Sequence, residues 1–164
     1  VIAPSFTDDQ LPSVREMLRV AHLMACGRTN PQIAAELNLP PAVVSRYIAR
    51  LGVRFGIRDR AGIVGAAIKA GDLQVPVTGV TPLGFDELLF EVLVRIAKGM
   101  SNQQIGLELH LSCEAVKSRV RRLLATLEVR CREEAVMAGV ACGALRLVPV
   151  RRPAPPQQRE RVAA

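Results

Sequence analysis

Residues 99–127 read GMSNQQIGLELHLSCEAVKSRVRRLLATL, and this stretch decides how the rest of the chain is understood. Gly99 closes one helix. Ser101 and Gln104 follow at the Ser-x-x-Gln spacing of a capping box, which satisfies the first free amides of the next helix. That helix carries Ile105 and Leu109 on one face and stops near His110. After a short turn Ser112 caps a further helix, whose buried stripe is Val116, Val120, Leu123, Leu124 and Leu127. Between these apolar positions lie Lys117, Ser118, Arg119, Arg121 and Arg122.

Two short helices joined by a tight turn, the second basic outside and apolar inside, have the pattern of a helix-turn-helix with its recognition helix. The stretch resembles the LuxR-type (GerE-like) helix-turn-helix of bacterial transcription regulators. The residues that carry the resemblance are Glu91-Val92-Leu93, Ala97, Gly99, Ser101-Asn102, Ile105, Leu109, Ser112, Val116-Lys117 and the closing Leu127-Glu128-Val129-Arg130, within residues 83–145. The chain departs from the family at Ala115, where Thr is usual, at Arg119, where His is usual, and at Leu88-Leu89, where an Arg-Glu pair is usual. The resemblance implies an all-α unit of four helices, a double-stranded DNA partner and a fourth helix that serves as a dimer contact.

Outward from this stretch an internal repeat extends over most of the chain. A shift of 72 aligns Ala25 with Ala97, Gly27 with Gly99 and Asn30 with Asn102 without a gap. It also pairs Gln32 with Gln104, Ile33 with Ile105, Val44 with Val116, Leu51 with Leu123, Arg60 with Arg132 and Gly71 with Gly143. Thr29 and Gln32 reproduce the capping box. The expected fold is therefore all-α, two tandem four-helix LuxR-type units, at residues 11–73 and 83–145. In the first unit the spacing predicts helices over 13–26, with a Ser13/Glu16 capping box, 30–38, 41–53 and 61–70. In the second it predicts helices over 86–98, 102–110, 113–127 and 133–142. Pro41 suits the first position of a helix, where no amide donor is needed. The third helix of the first unit is expected to bury Val44, Ile48 and Leu51.

Residues 1–10 form an irregular lead-in whose Asp8-Asp9 pair is an exposed acidic start, since no strands surround it to make a phosphoacceptor pocket. Residues 74–82 are the linker, rich in Pro, Gly and β-branched residues. The Pro- and Arg-rich segment 146–164 cannot build a core and is expected to be a disordered tail. Val1 stands where an initiating Met would, so a processed or trimmed start is expected.

Composition narrows the function classes. Aromatic residues make up only 3% of the 164 positions against 49% hydrophobic residues, which suits small Leu/Val/Ala helical cores. The net charge of +7 favours an anionic partner. Its distribution is uneven: nine Lys/Arg against four Asp/Glu in residues 11–73, but eight against eight in 83–145. Within the second unit Asp86, Glu87 and Glu91 lie on the first helix and the cations crowd the third, a segregation that favours DNA contact. Cys26, Cys113, Cys131 and Cys142 have no C-x-x-C spacing and are read as small, mostly buried residues of a cytoplasmic protein rather than zinc ligands. No apolar run is long enough for a membrane span, and no cofactor, metal or catalytic constellation is expected. His22 is assigned to a helix surface or core and His110 to a helix C-terminus.

Chemistry assigns roles on the expected DNA face. Lys117, Ser118 and Arg121 in the second unit, and Ser45, Arg46 and Arg50 in the first, are placed for base readout. Thr29, Tyr47, Ser101, Ser112, Arg119 and Arg122 are placed for phosphates. The second unit is expected to supply more of the base specificity and the first more affinity and shape readout. The fourth helices, AGIVGAAIKA (61–70) and AVMAGVAC (135–142), are apolar nearly all round and should pack on more than one side, either against each other in one chain or between chains as a homodimer. The expected function is sequence-specific transcription regulation through two recognition helices in the major groove. The alternative is a protein-interaction module contacting RNA polymerase or a partner regulator.

Overall fold

The computed structural model describes residues 14–77, 79, 82 and 84–147. The expected lead-in, Ser13 with its half of the first capping box, and the tail from residue 148 onward lie outside the described residues.

Eight helices and no strands make up the described chain: α1 (Val14–Ala25), α2 (Asn30–Leu37), α3 (Pro41–Phe55), α4 (Arg60–Lys69), α5 (Glu87–Ala97), α6 (Asn102–Leu109), α7 (Cys113–Thr126) and α8 (Arg132–Ala141). None is long and apolar enough to cross a membrane. The caps explain the boundaries. Asp59 and Asp86 accept the Gly62 and Leu89 amides at the starts of α4 and α5. The helix α3 runs two residues beyond its expected end because Gly56, at φ 68°, takes the left-handed C-cap and returns the Ile57 amide to the Gly52 carbonyl at 2.9 Å.

The left-handed positions recur at a fixed interval. Gly27, Asn38, Gly56 and Gly71 have positive φ, and so do Gly99, His110, Glu128 and Gly143, each 72 residues later. Left-handed backbone costs an ordinary side chain roughly 1–2 kcal/mol. His110 and Glu128 adopt it all the same, because the turns around them close on the same geometry as at Asn38 and Gly56. His110 thus ends α6, at the helix C-terminus where it was expected.

Helices α1 to α4 pack on one another, as do α5, α7 and α8 with α6 against α7. The core of the first set is built from Val20, Met24, Ile33, Val44, Leu51 and Val64, and that of the second from Leu93, Ile96, Ile105, Val116, Leu123 and Val136. Each such side chain is worth roughly 1.5–3 kcal/mol of burial. The two sets meet through α4, which packs on both α5 and α8, and through α1 on α8. This contact is why seven of the ten α4 residues are buried, including Gly62 and Gly65. A Cβ on Gly62 would run into the Gly99 backbone, and one on Gly65 into the Ala97 carbonyl. Only glycine permits that approach.

The meeting has an exchange pattern. The α1·α8 contact is the counterpart of α5·α4 when the two sets are swapped. Gly99 lies against Gly62, and Gly27, 72 residues before Gly99, lies against Glu134, 72 residues after Gly62.

Three expectations need correction. Tyr47 fills the buried position next to Val44 on α3, while Ile48 is only half-buried. Leu124, expected in the buried stripe, is half-buried. Of the cysteines only Cys142 is buried. Cys131 is half-buried, and Cys26 and Cys113 are exposed because they end α1 and begin α7 on the solvent side.

Candidate nucleic-acid interface

Each candidate surface is a short helix, a turn and a longer helix. In the second, the Ser101 amide donates to Gln104 Oε1 at 2.8 Å and the Gln104 amide donates back to Ser101 Oγ at 3.3 Å. The Leu111 amide closes the turn on the Gly106 carbonyl at 2.8 Å, and Ser112 Oγ accepts the Ala115 amide at 3.1 Å to start α7. In the first, the Thr29 amide donates to Gln32 Oε1 at 2.9 Å, the Leu39 amide reaches the Ala34 carbonyl at 2.9 Å, and Pro41 opens α3. A Cβ on Gly106 would press on the Leu111 carbonyl, so glycine lets the turn close tightly on α6.

On α7, Lys117, Ser118, Arg121 and Arg122 are exposed and Arg119 is half-buried. Most of these cations already have partners. Lys117 Nζ sits 2.6 Å from Glu114 Oε1, a contact that raises the ammonium pKa and holds the Glu114 carboxyl below its ordinary range. Arg122 Nη2 lies 3.0 Å from Asp86 Oδ2, across from α5. Arg119 Nη1 donates to the Ala115 carbonyl at 3.3 Å. The expected segregation of acids from cations therefore breaks at Asp86, whose carboxylate reaches the basic helix. Ser101 and Ser112 are exposed at the helix starts, each with its hydroxyl accepting a capping amide.

On α3, Ser45, Arg46 and Arg50 are exposed, and no acid pairs with either arginine among the described residues. Thr29 is exposed at the start of α2. Tyr47 does not share this face. Its ring is buried, and its hydroxyl donates to Glu16 Oε2 on α1 at 3.1 Å. Burial first, and the Glu16 bond second, raise its pKa. The phosphate contact expected of Tyr47 is thus replaced by a strut between α1 and α3.

Sequence reasoning passed over Arg60 and Arg132, which stand 72 residues apart at the starts of α4 and α8. Arg60 donates to the Arg28 carbonyl at 2.8 Å and to Asn30 Oδ1, and pairs with Glu133 at 2.9 Å. Arg132 donates to the Met100 carbonyl at 2.6 Å, the position equivalent to Arg28. These guanidinium groups hold the loop before each short helix in place. Their signal was present in the repeat, as an Arg conserved between the two copies beside a conserved Asn30/Asn102.

Residues 90–138 match the family described as bacterial regulatory proteins, luxR family. The chain is similar to the probable transcriptional regulatory protein NarL of Mycobacterium tuberculosis, 40% identical over 57 residues that cover 35% of this chain and 26% of that protein. It is also similar to the response regulator protein VraR of Staphylococcus aureus, 45% identical over 47 residues, 29% of this chain and 22% of that protein. The chain thus spans about a quarter of the length of the curated relatives it matches. No solved structure matches it.

Proposed function

We propose that this chain is a double-stranded DNA-binding transcription regulator built from two LuxR-type helix-turn-helix units, at residues 11–73 and 83–145, paired with each other inside one polypeptide. The observation that carries the reading is the recurrence at 72 residues of helix starts and left-handed turn residues, which extends the matched segment's architecture to the first half of the chain. The reciprocal contact of α1 and α4 with α5 and α8 supports an internal two-fold. Such an axis would present α3 and α7 to two inverted half-sites.

In this reading Ser45, Arg46 and Arg50 of α3 and Lys117, Ser118 and Arg121 of α7 meet base edges. Thr29, Ser101, Ser112, Arg119 and Arg122 hold phosphates, with the helix amino ends behind the first three. Arg46 and Arg50, with no acid paired to them among the described residues, shift base readout toward the first unit. A second reading, contact with RNA polymerase or a partner regulator, is favoured by one observation: Lys117, Arg119 and Arg122 of α7 already have protein partners, and Leu107 of the neighbouring α6 is 73% exposed.

The test is selection from a random duplex pool, followed by fluorescence anisotropy on the enriched sequence across a salt series. The expected result is an inverted two-half-site motif bound by the monomeric chain, with a steep salt dependence. Enrichment of one half-site only would reduce α1–α4 to a docking module. Salt-insensitive or absent binding would leave the partner-contact reading.

A further inference from the structure

A cavity of about 660 Å³ lies where α4 meets α5 and the segment after α8. Its size falls within the range of small-molecule sites. Its body is apolar, formed by Gly65, Ala66, Phe90, Val94, Ala97 and Leu145. Lys69, Lys98 and Arg146 stand at its lining, all three exposed, and no acid lines it among the described residues. Among the described residues none of the three forms an ion pair there.

The repeat supplies an internal control. The positions equivalent to Phe90, Val94, Ala144, Leu145 and Arg146 are Leu18, His22, Asp72, Leu73 and Gln74, and these line a separate cavity of about 460 Å³. There the character is mixed, with Arg15, Arg19, Glu36 and Asp72 among the lining groups, and Asp72 is held by Arg54 at 2.6 Å. Val94 replaces a histidine, Ala144 an aspartate, and Lys98 stands where the first set has Cys26. Cations therefore line both cavities, but only the larger one combines them with an apolar body and no acid among the described residues, a difference that helix packing does not require.

We propose that this cavity binds a free anionic amphiphile, of the class of medium-chain carboxylates, with its carboxylate at Lys69, Lys98 and Arg146 and its hydrocarbon body against Phe90, Val94, Ala97 and Leu145. Charge decides this occupant. The chain's own residues 148–164 carry four Arg against one Glu and would meet the three cations with like charge. The walls come from both halves of the chain, so occupancy stabilises the contact of α4 with α5 and biases the relative setting of α3 and α7. The inference is independent of DNA binding.

The test uses the full chain with 1-anilinonaphthalene-8-sulfonate as the reporter, displaced by decanoate, decanol or decyltrimethylammonium. Decanoate should displace the reporter saturably and raise the thermal midpoint, and the cationic amphiphile should do neither. The double variant Lys69→Glu/Lys98→Glu, at two exposed positions, should weaken decanoate by roughly tenfold while leaving the ligand-free midpoint and the weaker binding of decanol unchanged. Equal binding of decanoate and decanol, an unchanged decanoate affinity in the charge variant, or no saturable binding because the chain's own end or a second copy fills the cavity would each overturn the proposal.

Discussion

The helices α3 and α7 begin 72 residues apart, each after a short helix and a turn, yet they carry their charge in opposite ways. Among the described residues no acid pairs with the exposed arginines of α3, Arg46 and Arg50, whereas on α7 Lys117 is matched by Glu114 and Arg122 by Asp86. The difference runs inward. Tyr47 of α3 reaches Glu16 on α1, while the equivalent positions, 119 and 88, hold Arg119 and Leu88. One surface is open to an incoming anion, and the other must first give up an internal partner. A helix's count of Lys and Arg is thus a poor guide to its field, because a neighbouring carboxylate removes most of what a cation presents.

The comparison depends on the two halves being held together, and the largest expected effect is its loss. Gly62→Val should destabilise the chain by about 3 kcal/mol or more in urea unfolding, since α4 can accept a side chain there only by moving away from Gly99. The same variant should lose the preference for two half-sites over one. A stability within about 0.5 kcal/mol of wild type would mean that α4 and α5 are not apposed in solution.

Next in size is the contrast in DNA affinity. Arg46→Ala/Arg50→Ala should weaken binding by roughly a hundredfold, and Lys117→Ala/Arg121→Ala by roughly tenfold, taking about 1–3 kcal/mol for each good base contact. Anisotropy at one fixed salt concentration compares them. A reversed order would restore α7 as the main reader and show that its ion pairs open at no cost on binding.

A smaller effect tests the strut that replaced a phosphate contact. Tyr47→Phe should cost about 1 kcal/mol of stability, the worth of one hydrogen bond, and leave DNA affinity within about twofold. The folded phenol has a pKa above its ordinary 10.0, so it favours the folded state fully below about pH 10, and that contribution is lost as pH rises through the folded value. Unfolding curves should show wild type losing this advantage on the alkaline side and the Phe variant lacking that slope.

The sequence made the helices legible because their ends are chemically marked. The Ser101/Gln104 box, Pro41, Gly27 and Gly99 fix starts and stops by local geometry alone. The 72-residue recurrence of left-handed turn residues was legible for the same reason, since turn residues must recur where turns recur. Burial of Tyr47 could have been read from its place between Val44 and Leu51, three and four residues away, but its polar end drew attention to solvent. The Lys117–Glu114 pair was visible at i, i+3 spacing. The Arg122–Asp86 pair was not, because it joins residues 36 apart whose meeting depends on how α5 crosses α7. Nor could any local rule find the cavity at Lys69 and Lys98, whose walls come from both halves.

The smallest expected effect isolates the electrostatic part of the contrast. Glu114→Gln keeps the shape of α7 and removes the carboxylate that holds Lys117. Both groups are exposed, so stability should barely change. Affinity for DNA should rise about two- to fivefold at low salt, and the gain should fade as screening shortens the reach of Glu114. Because Lys117 holds the Glu114 carboxyl below its ordinary range, their pairing persists as pH falls until the carboxyl protonates, and acidification through that point should bring wild type toward the variant. If the variant binds like wild type at every salt concentration, Lys117 leaves Glu114 without penalty, and the difference between α3 and α7 resides in base contacts rather than in charge.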